Sequence, residues 1–557
     1  MQSHAVDGMK GSDVYDSTGS ALVDLSVRLV RKGWSSELEA LFLKALETSE
    51  DDAFVLAFQT RDIRGGKGER KLFTQMVEVL LKHRRSLMVG LLDLIPEYGC
   101  WQDLFTEELR ECRPEIEELV VKQLKADAAK SEGAISLCAK WAPREGKNTS
   151  AVKMLAAKLF PDEPKLSQRL KRYRQLVAGL NRRLDTTEVK MCSKHFADIN
   201  PAKVPGVCLA KHMKAFLNEP LKGRGLRHPD DIDRMSCREH FQEHMSRAAK
   251  GEAKVNGAVT RYPHQVIKDV VHFAQQEGAE KDALIAVWNG MVANAKALGG
   301  LGRTIAMCDF SGSMQSSSNG DTPYWVSMAM GLLISEVTSD EFKDTFLTFD
   351  SNPAWHTLPA TSGGANIFDR VASIGHVGQG LSTDFQKAMD LVLATLKTKR
   401  VRPGQEPKDL IVITDMAWDQ ACASNEKGFW TGHSYSHVVK TSPWQTHIQM
   451  IREAFKRAGE DMWGADNGWT PPRIVIWNVA ANCSDFHATT DTEGVIMLSG
   501  WSPSLFKVLT EEGARVQTPV EALRIMLDDE RYAPIRIRLD DLRMPPLIDV
   551  PVVVVPV

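Results

Sequence analysis

The stretch Arg303-Thr-Ile-Ala-Met-Cys-Asp309-Phe-Ser311-Gly-Ser313 decides the fold class of the second half of this 557-residue chain. A short apolar run that ends at a carboxylate is typical of a fully buried strand. Similar runs predict strands over residues 344–350, 409–415, 473–479 and 494–498, and helical spacing predicts helices over residues 324–337, 384–396 and 444–458. Strands that alternate with helices indicate a doubly wound, mostly parallel sheet that is covered on both faces.

Oxygen-bearing side chains follow the first strand and recur at two later points. They are Asp309, Ser311 and Ser313 in one tight loop, Thr383 in a glycine-containing loop, and Asp415 at the end of a later strand. In a parallel sheet such loops meet at the carboxyl ends of the strands. Carboxylate and hydroxyl oxygens suit a hard cation, so these residues predict a Mg²⁺ site. The alternative is a Ser- and Asp-containing turn that holds no metal.

This pattern resembles the metal-ion-dependent adhesion site of von Willebrand factor A domains. That family has Asp-x-Ser-x-Ser after the first strand, a threonine before Asp-Phe, and an aspartate that ends the fourth strand. The resemblance implies that all five residues hold Mg²⁺ or another divalent cation. It also implies that one coordination position accepts a carboxylate from an acidic protein partner. The chain departs from the family at Met416, where the family has glycine, and we expect this change to alter access to the metal.

The first half of the chain has a different pattern. From about residue 22 to residue 298, apolar residues recur at helical spacing between glycine and proline breaks. Short helices that cannot bury an apolar face alone stack against one another, which predicts a HEAT-like helical module. The pattern changes at Gly299-Gly300. We therefore predict a flexible N-terminus over residues 1–20, the helical module over 21–300, the A-type domain over 301–540 and a Pro- and Val-rich tail over 541–557.

The formal net charge of -3 conceals an uneven distribution. Residues 1–300 contain 47 Lys and Arg against 41 Asp and Glu, whereas residues 301–557 contain 22 against 31. The excess is largest over residues 151–250, which contain 21 basic and 11 acidic side chains. A basic stretch of this kind is typical of a surface that contacts nucleic-acid phosphates.

Fourteen basic residues are candidates for contacts with RNA. They lie in a glycine-rich motif and in the basic block, and they are Arg61, Arg64, Lys67, Arg70, Lys71, Arg169, Lys171, Arg172, Arg174, Arg182, Arg183, Lys190, Lys194 and Lys211. Backbone amides at the entrance of a helix also suit phosphate. Two alternatives remain open: the motif is a turn whose arginines pair with Asp62 and Glu69, and the block is a solvated face.

Further strings in the first half include Tyr98-Gly-Cys-Trp-Gln-Asp-Leu104, Lys140-Trp-Ala-Pro-Arg-Glu145 and Tyr262-Pro-His-Gln-Val-Ile267. Together with the A-type domain, they resemble a family described only as a domain of unknown function, which is itself similar to Ro ribonucleoproteins. The TROVE module (telomerase, Ro and vault) of Ro proteins is a ring of helical repeats. The resemblance implies a ring-shaped module that binds small structured RNA outside and single-stranded RNA ends through its hole.

These patterns predict a non-catalytic RNA-binding protein whose metal-dependent domain docks an acidic partner. The sequence shows no nucleophile–base pair and no complete catalytic metal set, so we do not expect an enzyme. No apolar run approaches the ~20 residues of a membrane span. Nine widely spaced cysteines without Cys-x-x-Cys indicate reduced thiols and a cytoplasmic protein. The alternative function is a cellular or viral assembly component that acts through the metal site without RNA.

Overall fold

The computed structural model describes residues 5–7, 13–146, 149–222, 225–256, 261–275, 278–315, 320–350, 352–375, 385–416, 444–481, 483, 485–509 and 518–544. The helices in this part of the chain are α1 (Ala21–Arg28), α2 (Ser36–Thr48), α3 (Glu50–Arg61), α4 (Arg70–His83), α5 (Arg85–Gly90), α6 (Ile95–Tyr98), α7 (Arg113–Ala129), α8 (Cys138–Trp141), α9 (Thr149–Leu159), α10 (Leu166–Leu184), α11 (Thr187–Ser193), α12 (Gly206–Phe216), α13 (Ile232–Ala249), α14 (Pro263–His272), α15 (Ala279–Ala297), α16 (Pro323–Val337), α17 (Ile367–Ile374), α18 (Phe385–Thr398), α19 (Trp444–Trp463), α20 (Pro519–Leu527) and α21 (Ala533–Arg543). The strands are β1 (Ala5–Asp7), β2 (Asp13–Tyr15), β3 (Thr304–Asp309), β4 (Thr345–Phe349), β5 (Trp355–Thr357), β6 (Asp409–Thr414), β7 (Arg473–Asn478) and β8 (Val495–Ser499).

The second half contains a six-stranded mixed sheet in the order β5-β4-β3-β6-β7-β8. Five strands run parallel, and β5 pairs antiparallel with β4. Strands β3, β6, β7 and β8 are buried along their whole length, which explains their continuous apolar sequence. A helical first half and an α/β second half are therefore confirmed. The sequence does not reveal β5, because its three residues contain no apolar run.

Three glycines separate the helical half from the sheet. Gly299, Gly300 and Gly302 have φ values of 109°, 65° and 57°, and they lie between the end of α15 and the start of β3. A side chain at these positions would be strained, because only glycine adopts positive φ without cost. The change of pattern in the sequence thus coincides with a turn that requires glycine.

The two halves pack closely against each other. Helix α1 packs on β8, and the Asn478 side-chain amide donates a hydrogen bond to the Val27 carbonyl at 2.9 Å. Helices α20 and α21, at the other end of the chain, pack on α3, and α21 also packs on α5. One apolar core contains residues of both halves. Helix α1 of the first half therefore packs on the second half, and α20 and α21 of the second half pack on the first.

Residues 15–18 pack against the rest of the protein. The Tyr15 amide donates to the Phe486 carbonyl at 2.8 Å, and Ser17 and Thr18 are buried and donate to the Asp24 carboxylate. The predicted flexible N-terminus is wrong for these residues, because a buried carboxylate holds them. At the other end, α21 includes residues 541–543 of the predicted tail, and residues 545–557 lie outside the described part. Among the described helices, none has the length and apolarity that crossing a bilayer requires.

Candidate metal centre and basic surface

The carboxyl ends of β3 and β6 lie side by side at the point where the strand order reverses. The chain continues from β3 to β4 on one side and later enters β6 on the other side. Such a switch point forms a crevice in which α/β proteins bind ligands. Asp309 is the last residue of β3 and Asp415 directly follows β6, and the pairing of Cys308 with Ile413 sets both strand ends at the same level.

Asp309 is fully buried and accepts hydrogen bonds from Ser311 and Thr414. Its Oδ1 accepts the Ser311 backbone amide at 2.9 Å, and its Oδ2 accepts the Thr414 hydroxyl at 3.0 Å. The hydroxyl groups of Ser311 and Ser313 are 3.1 Å apart. The loop after β3 therefore brings one carboxylate and two hydroxyl groups together. Ser313 is exposed, so the group opens toward solvent.

Asp415 adds a second buried carboxylate, with 4% of the residue exposed. Burial raises the pKa of Asp309, and the negative charge of Asp415 raises this pKa further, while hydrogen bonds from Ser311 oppose the shift. A cation between two such carboxylates would relieve their repulsion. All donors are oxygens, the ligand type that Mg²⁺ and Ca²⁺ prefer. In the described residues no three His, Cys, Asp or Glu side chains converge, so hydroxyl groups would have to complete any metal set.

Thr383 lies outside the described residues. Thr414 is a residue that the sequence analysis missed, because a threonine inside an apolar strand resembles ordinary β-branched filling. Its hydroxyl donates to Asp309 and accepts the Met416 amide at 3.1 Å, so it fixes the carboxylate and the following turn. The position of Thr414 directly before Asp415 is the sequence feature that could have indicated this role.

Met416 has a backbone conformation that glycine adopts more readily. Its φ is 71°, in the left-handed region that favours glycine, although its side chain is 2% exposed. Its carbonyl lies 3.1 Å from Nε2 of His487. Burial lowers the pKa of His487 to about 4, so this ring is neutral at pH 7 and does not repel a cation nearby.

The basic side chains of the glycine-rich motif over residues 61–71 mostly contact other groups of the protein. Arg61 is 5% exposed, and its Nε donates to Asp103 at 2.7 Å. Arg70 approaches the same carboxylate at 2.7 Å. Arg64 is exposed and donates to the Glu97 carbonyl, and Lys71 is exposed. The prediction that Arg61 contacts RNA is wrong for this fold, because a buried ion pair occupies it.

The prediction that Lys67 contacts RNA is also wrong, because Lys67 is 1% exposed and lies between the two halves. Its Nζ donates to the carbonyls of Ser26 and Leu29 at 2.6 and 3.2 Å and to the Ser499 hydroxyl at 2.6 Å. Burial lowers the pKa of Lys67 to about 7. The alternative prediction was a turn whose arginines pair with Asp62 and Glu69, and it agrees better with the structure than a contact with RNA does. However, Asp62 pairs with Arg531 and Glu69 pairs with Arg31, and neither arginine belongs to the motif.

The basic block lies on α10, α11 and α12 and remains at the surface. Several of its cations bind local partners: Arg172 pairs with Glu163, Arg174 with Glu145 and Lys190 with Asp185, while Arg169 and Arg183 donate to the carbonyls of Glu163 and Asp127. Lys171, Arg182, Lys194 and Lys211 are exposed and make no ion pair within the described residues. These four form the part of the block that is available to an external anion.

The fold and site define a class of protein: a helical half joined to an α/β half whose sheet has an oxygen-donor group at its switch point. Family models agree with this division, since residues 303–539 match a domain of unknown function, DUF7788, and residues 98–301 match a second, DUF2828.

Two individual proteins are similar to the chain over most of its length. Uncharacterized protein L728 of Acanthamoeba polyphaga mimivirus is 26% identical over 565 residues, which cover 97% of this chain and 90% of that protein. The crystal structure of the Deinococcus radiodurans RO (RSR) protein matches with 12% identity and a TM-score of 0.36, over 88% of this chain and 99% of that chain.

Proposed function

We propose that the protein is a non-catalytic binding protein that docks an acidic partner through a divalent cation at the carboxyl ends of β3 and β6. The observation that carries this proposal is the convergence of Asp309 and Asp415, both buried, with the hydroxyl groups of Ser311 and Ser313. Mg²⁺ bound there would offer a coordination position to a carboxylate. Thr383 would be the fifth protein ligand in the A-type arrangement that the sequence resembles.

Metal binding is tested by titrating Mg²⁺ into the metal-free full chain in a calorimeter. Asp309→Asn keeps the shape of the side chain and removes its charge, so we expect at least a tenfold loss of affinity. Asp461→Asn, at an exposed aspartate of α19, is the matched control and should bind like the unaltered protein. Equal affinity in Asp309→Asn and the unaltered protein would contradict the proposal.

We further propose that the helical half is a HEAT-like module that binds RNA phosphates in the cytoplasm, as the sequence resemblance to Ro proteins implies. The support in the structure is the set of unpaired cations on α10 to α12, above all Lys171 and Arg182 on α10. Contacts of this kind position a nucleic acid without reading its sequence. They also make affinity fall steeply as salt rises.

A salt titration with a small structured RNA tests this second part. We expect the double variant Lys171→Glu/Arg182→Glu to reduce the slope of log affinity against log salt by about two, roughly one for each lost phosphate contact. Lys44→Glu, at an exposed lysine of α2, is the control and should leave the slope unchanged. RNA affinity that does not depend on salt would refute the phosphate model. Metal-dependent partner binding without any RNA binding would instead favour the assembly function.

A further inference from the structure

A cavity of about 510 Å³ lies between the helical half and the loop that follows β8. The helical half contributes residues of the glycine-rich motif, the two residues before α14 and the end of α15, and the α/β half contributes residues 502–504. The volume lies within the range of small-molecule pockets, which often form where two parts of a protein meet. The cavity therefore needs both halves.

Contacts of the glycine-rich motif fix part of the cavity wall. The Ser504 hydroxyl donates a long hydrogen bond to the Arg64 carbonyl at 3.4 Å, which joins the loop after β8 to the motif. The Tyr262 hydroxyl donates to the Lys67 carbonyl at 3.0 Å. Gly68 lines the cavity with a φ of 72°, and a Cβ at this residue would lie 2.5 Å from the Tyr262 hydroxyl oxygen. The wall is therefore formed before any ligand binds, and it requires glycine at this position.

The lining is mostly apolar, and part of it is open to solvent. Its apolar residues include Ile63, Met291, Ala295, Ala297, Leu298 and Pro503. Ile63 is 38% exposed and Leu298 is 48% exposed, so a ligand can reach them from solvent. Apolar side chains that remain exposed at a concave surface gain free energy when an apolar ligand covers them. The ligand should therefore have an apolar body.

The cavity also has one positive charge that no acidic side chain compensates. None of the described residues that line it is acidic, and its two cations are Arg64 and Arg261. Arg261 is neutralised by an ion pair with Asp269. Arg64 is exposed and has no ion pair within the described part of the chain, and only its Nη1 donates, to the Glu97 carbonyl. The remaining N–H groups of this guanidinium suit a carboxylate.

We infer that this cavity binds an apolar monocarboxylate, with the carboxylate on Arg64 and the hydrocarbon body against Ile63 and Leu298. Such a ligand has the single negative charge and the apolar surface that the lining lacks. A small carboxylate would leave the apolar side chains uncovered. A neutral apolar molecule would leave Arg64 without a counter-charge, and an amine would be repelled by it.

The test is calorimetric titration of the full chain with sodium octanoate, and with acetate, octylamine and 1-octanol, in the presence of EDTA. EDTA excludes binding of a carboxylate through a metal at the Asp309 site. We expect octanoate to bind about tenfold or more tightly than each of the other three compounds, because only octanoate meets both the cation and the apolar lining. Failure of octanoate to bind at millimolar concentration would overturn the inference, and so would octylamine of equal affinity.

Arg64→Gln separates recognition of the carboxylate from burial of the hydrocarbon body. We expect this variant to bind octanoate about tenfold more weakly, the loss of one charge-assisted hydrogen bond, and to bind 1-octanol like the unaltered protein. Arg457→Gln, at an exposed arginine of α19 that does not line the cavity, is the matched control and should leave octanoate affinity unchanged. Octanoate affinity that does not change in Arg64→Gln would contradict the role of this arginine.

Ala297→Trp tests whether octanoate binds in this cavity. Ala297 is the exposed last residue of α15, so a larger side chain there fills the cavity without disturbing the core. We expect octanoate and 1-octanol both to lose about tenfold or more in affinity, because the indole covers the apolar lining. Ala293→Trp, at an exposed alanine one turn earlier that does not line the cavity, is the matched control. Equal octanoate affinity in the two tryptophan variants would overturn the inference.

Discussion

The buried carboxylate of Asp62 is expected to hold the two halves of the protein together. Asp62 directly follows α3 and is fully buried. Both of its oxygens accept hydrogen bonds from the Arg531 guanidinium, and the Tyr532 hydroxyl donates to it at 3.1 Å. The backbone amides of Arg64 and Gly65 donate to it at 3.0 Å each. Asp62→Ala removes the acceptor for all of these donors at once.

The cost of this substitution follows from what each donor loses. Tyr532 is fully buried, so its hydroxyl would lack a partner at a cost of about 1–3 kcal/mol. The Arg531 side chain is 26% exposed and can recover some water, which places its loss near the lower end of the range for charged hydrogen bonds, about 1.5 kcal/mol. We therefore expect Asp62→Ala to lower the free energy of unfolding by about 2.5–4.5 kcal/mol, a range that overlaps the cost of breaking a buried ion pair.

The assay is urea unfolding of the full chain, followed by circular dichroism and tryptophan fluorescence. The matched control is Asp93→Ala, because Asp93 also joins the helical half to an arginine of the other half. It contacts Arg538 at 3.1 Å, but the two side chains are 40% and 38% exposed. Exposed pairs contribute about 0–1 kcal/mol, so this control should change stability little. Equal losses in Asp62→Ala and Asp93→Ala would refute the argument that burial makes this contact strong.

Three further predictions concern single positions. Thr414→Val removes the hydroxyl that fixes Asp309. Calorimetry should show Mg²⁺ binding that is about tenfold weaker in a protein that still folds. Unchanged Mg²⁺ affinity would contradict the positioning role of Thr414. Met416→Gly relieves about 1 kcal/mol of left-handed backbone strain but loses about 2 kcal/mol of side-chain burial. Urea unfolding should therefore show that the free energy of unfolding falls by about 1 kcal/mol. A variant that is more stable than the unaltered protein would contradict this estimate. Lys67 titrates near pH 7 when folded and near 10.5 when unfolded, so the unfolded state binds more protons between these values. Stability should therefore rise with pH across this window by up to about 1.4 kcal/mol per unit, and Lys67→Met should abolish the rise; identical pH profiles in urea unfolding would refute it.

Much of the fold could be predicted because the strands of a covered parallel sheet are continuous apolar runs. The five predicted strands agree with β3, β4, β6, β7 and β8 to within one residue at each end. The same logic placed Asp309 and Asp415 at neighbouring strand ends. Edge strand β5 gave no such signal, since its residues Trp355–Thr357 are only partly buried or exposed. The packing of α1 on β8 also could not be predicted, because it depends on contacts between the two ends of the chain.

The basic motif shows where sequence reasoning fails. Composition reveals that Arg61 and Lys67 are cationic and lie beside glycines, but it does not reveal which distant groups they meet. Arg61 meets Asp103 and Lys67 meets Ser499, so the motif faces the interior. Lys171 and Arg182, by contrast, lie on an amphipathic helix whose apolar side already indicates which face is exposed. A basic residue on an amphipathic helix can therefore be placed from sequence. Arg61 ends α3, which is buried on all sides over its last turns, and Lys67 lies in a turn, so the sequence pattern does not place either of them.

Ion pairs between the halves make the helical half more basic than its composition alone indicates. Ion pairs within the described residues join five acidic side chains of the helical half to five arginines of the α/β half: Glu50, Asp51, Asp52, Asp62 and Asp93 with Arg524, Arg531, Arg536, Arg538 and Arg543. One pair, Lys268 with Asp321, runs the other way. Setting these groups aside, the surplus of six cations over residues 1–300 becomes ten on the groups that remain. Acids that would repel RNA are thus neutralised from within. Because salt screens exposed charges more than buried pairs, raising salt should weaken the RNA binding that we propose while the Asp62 contact holds the halves together.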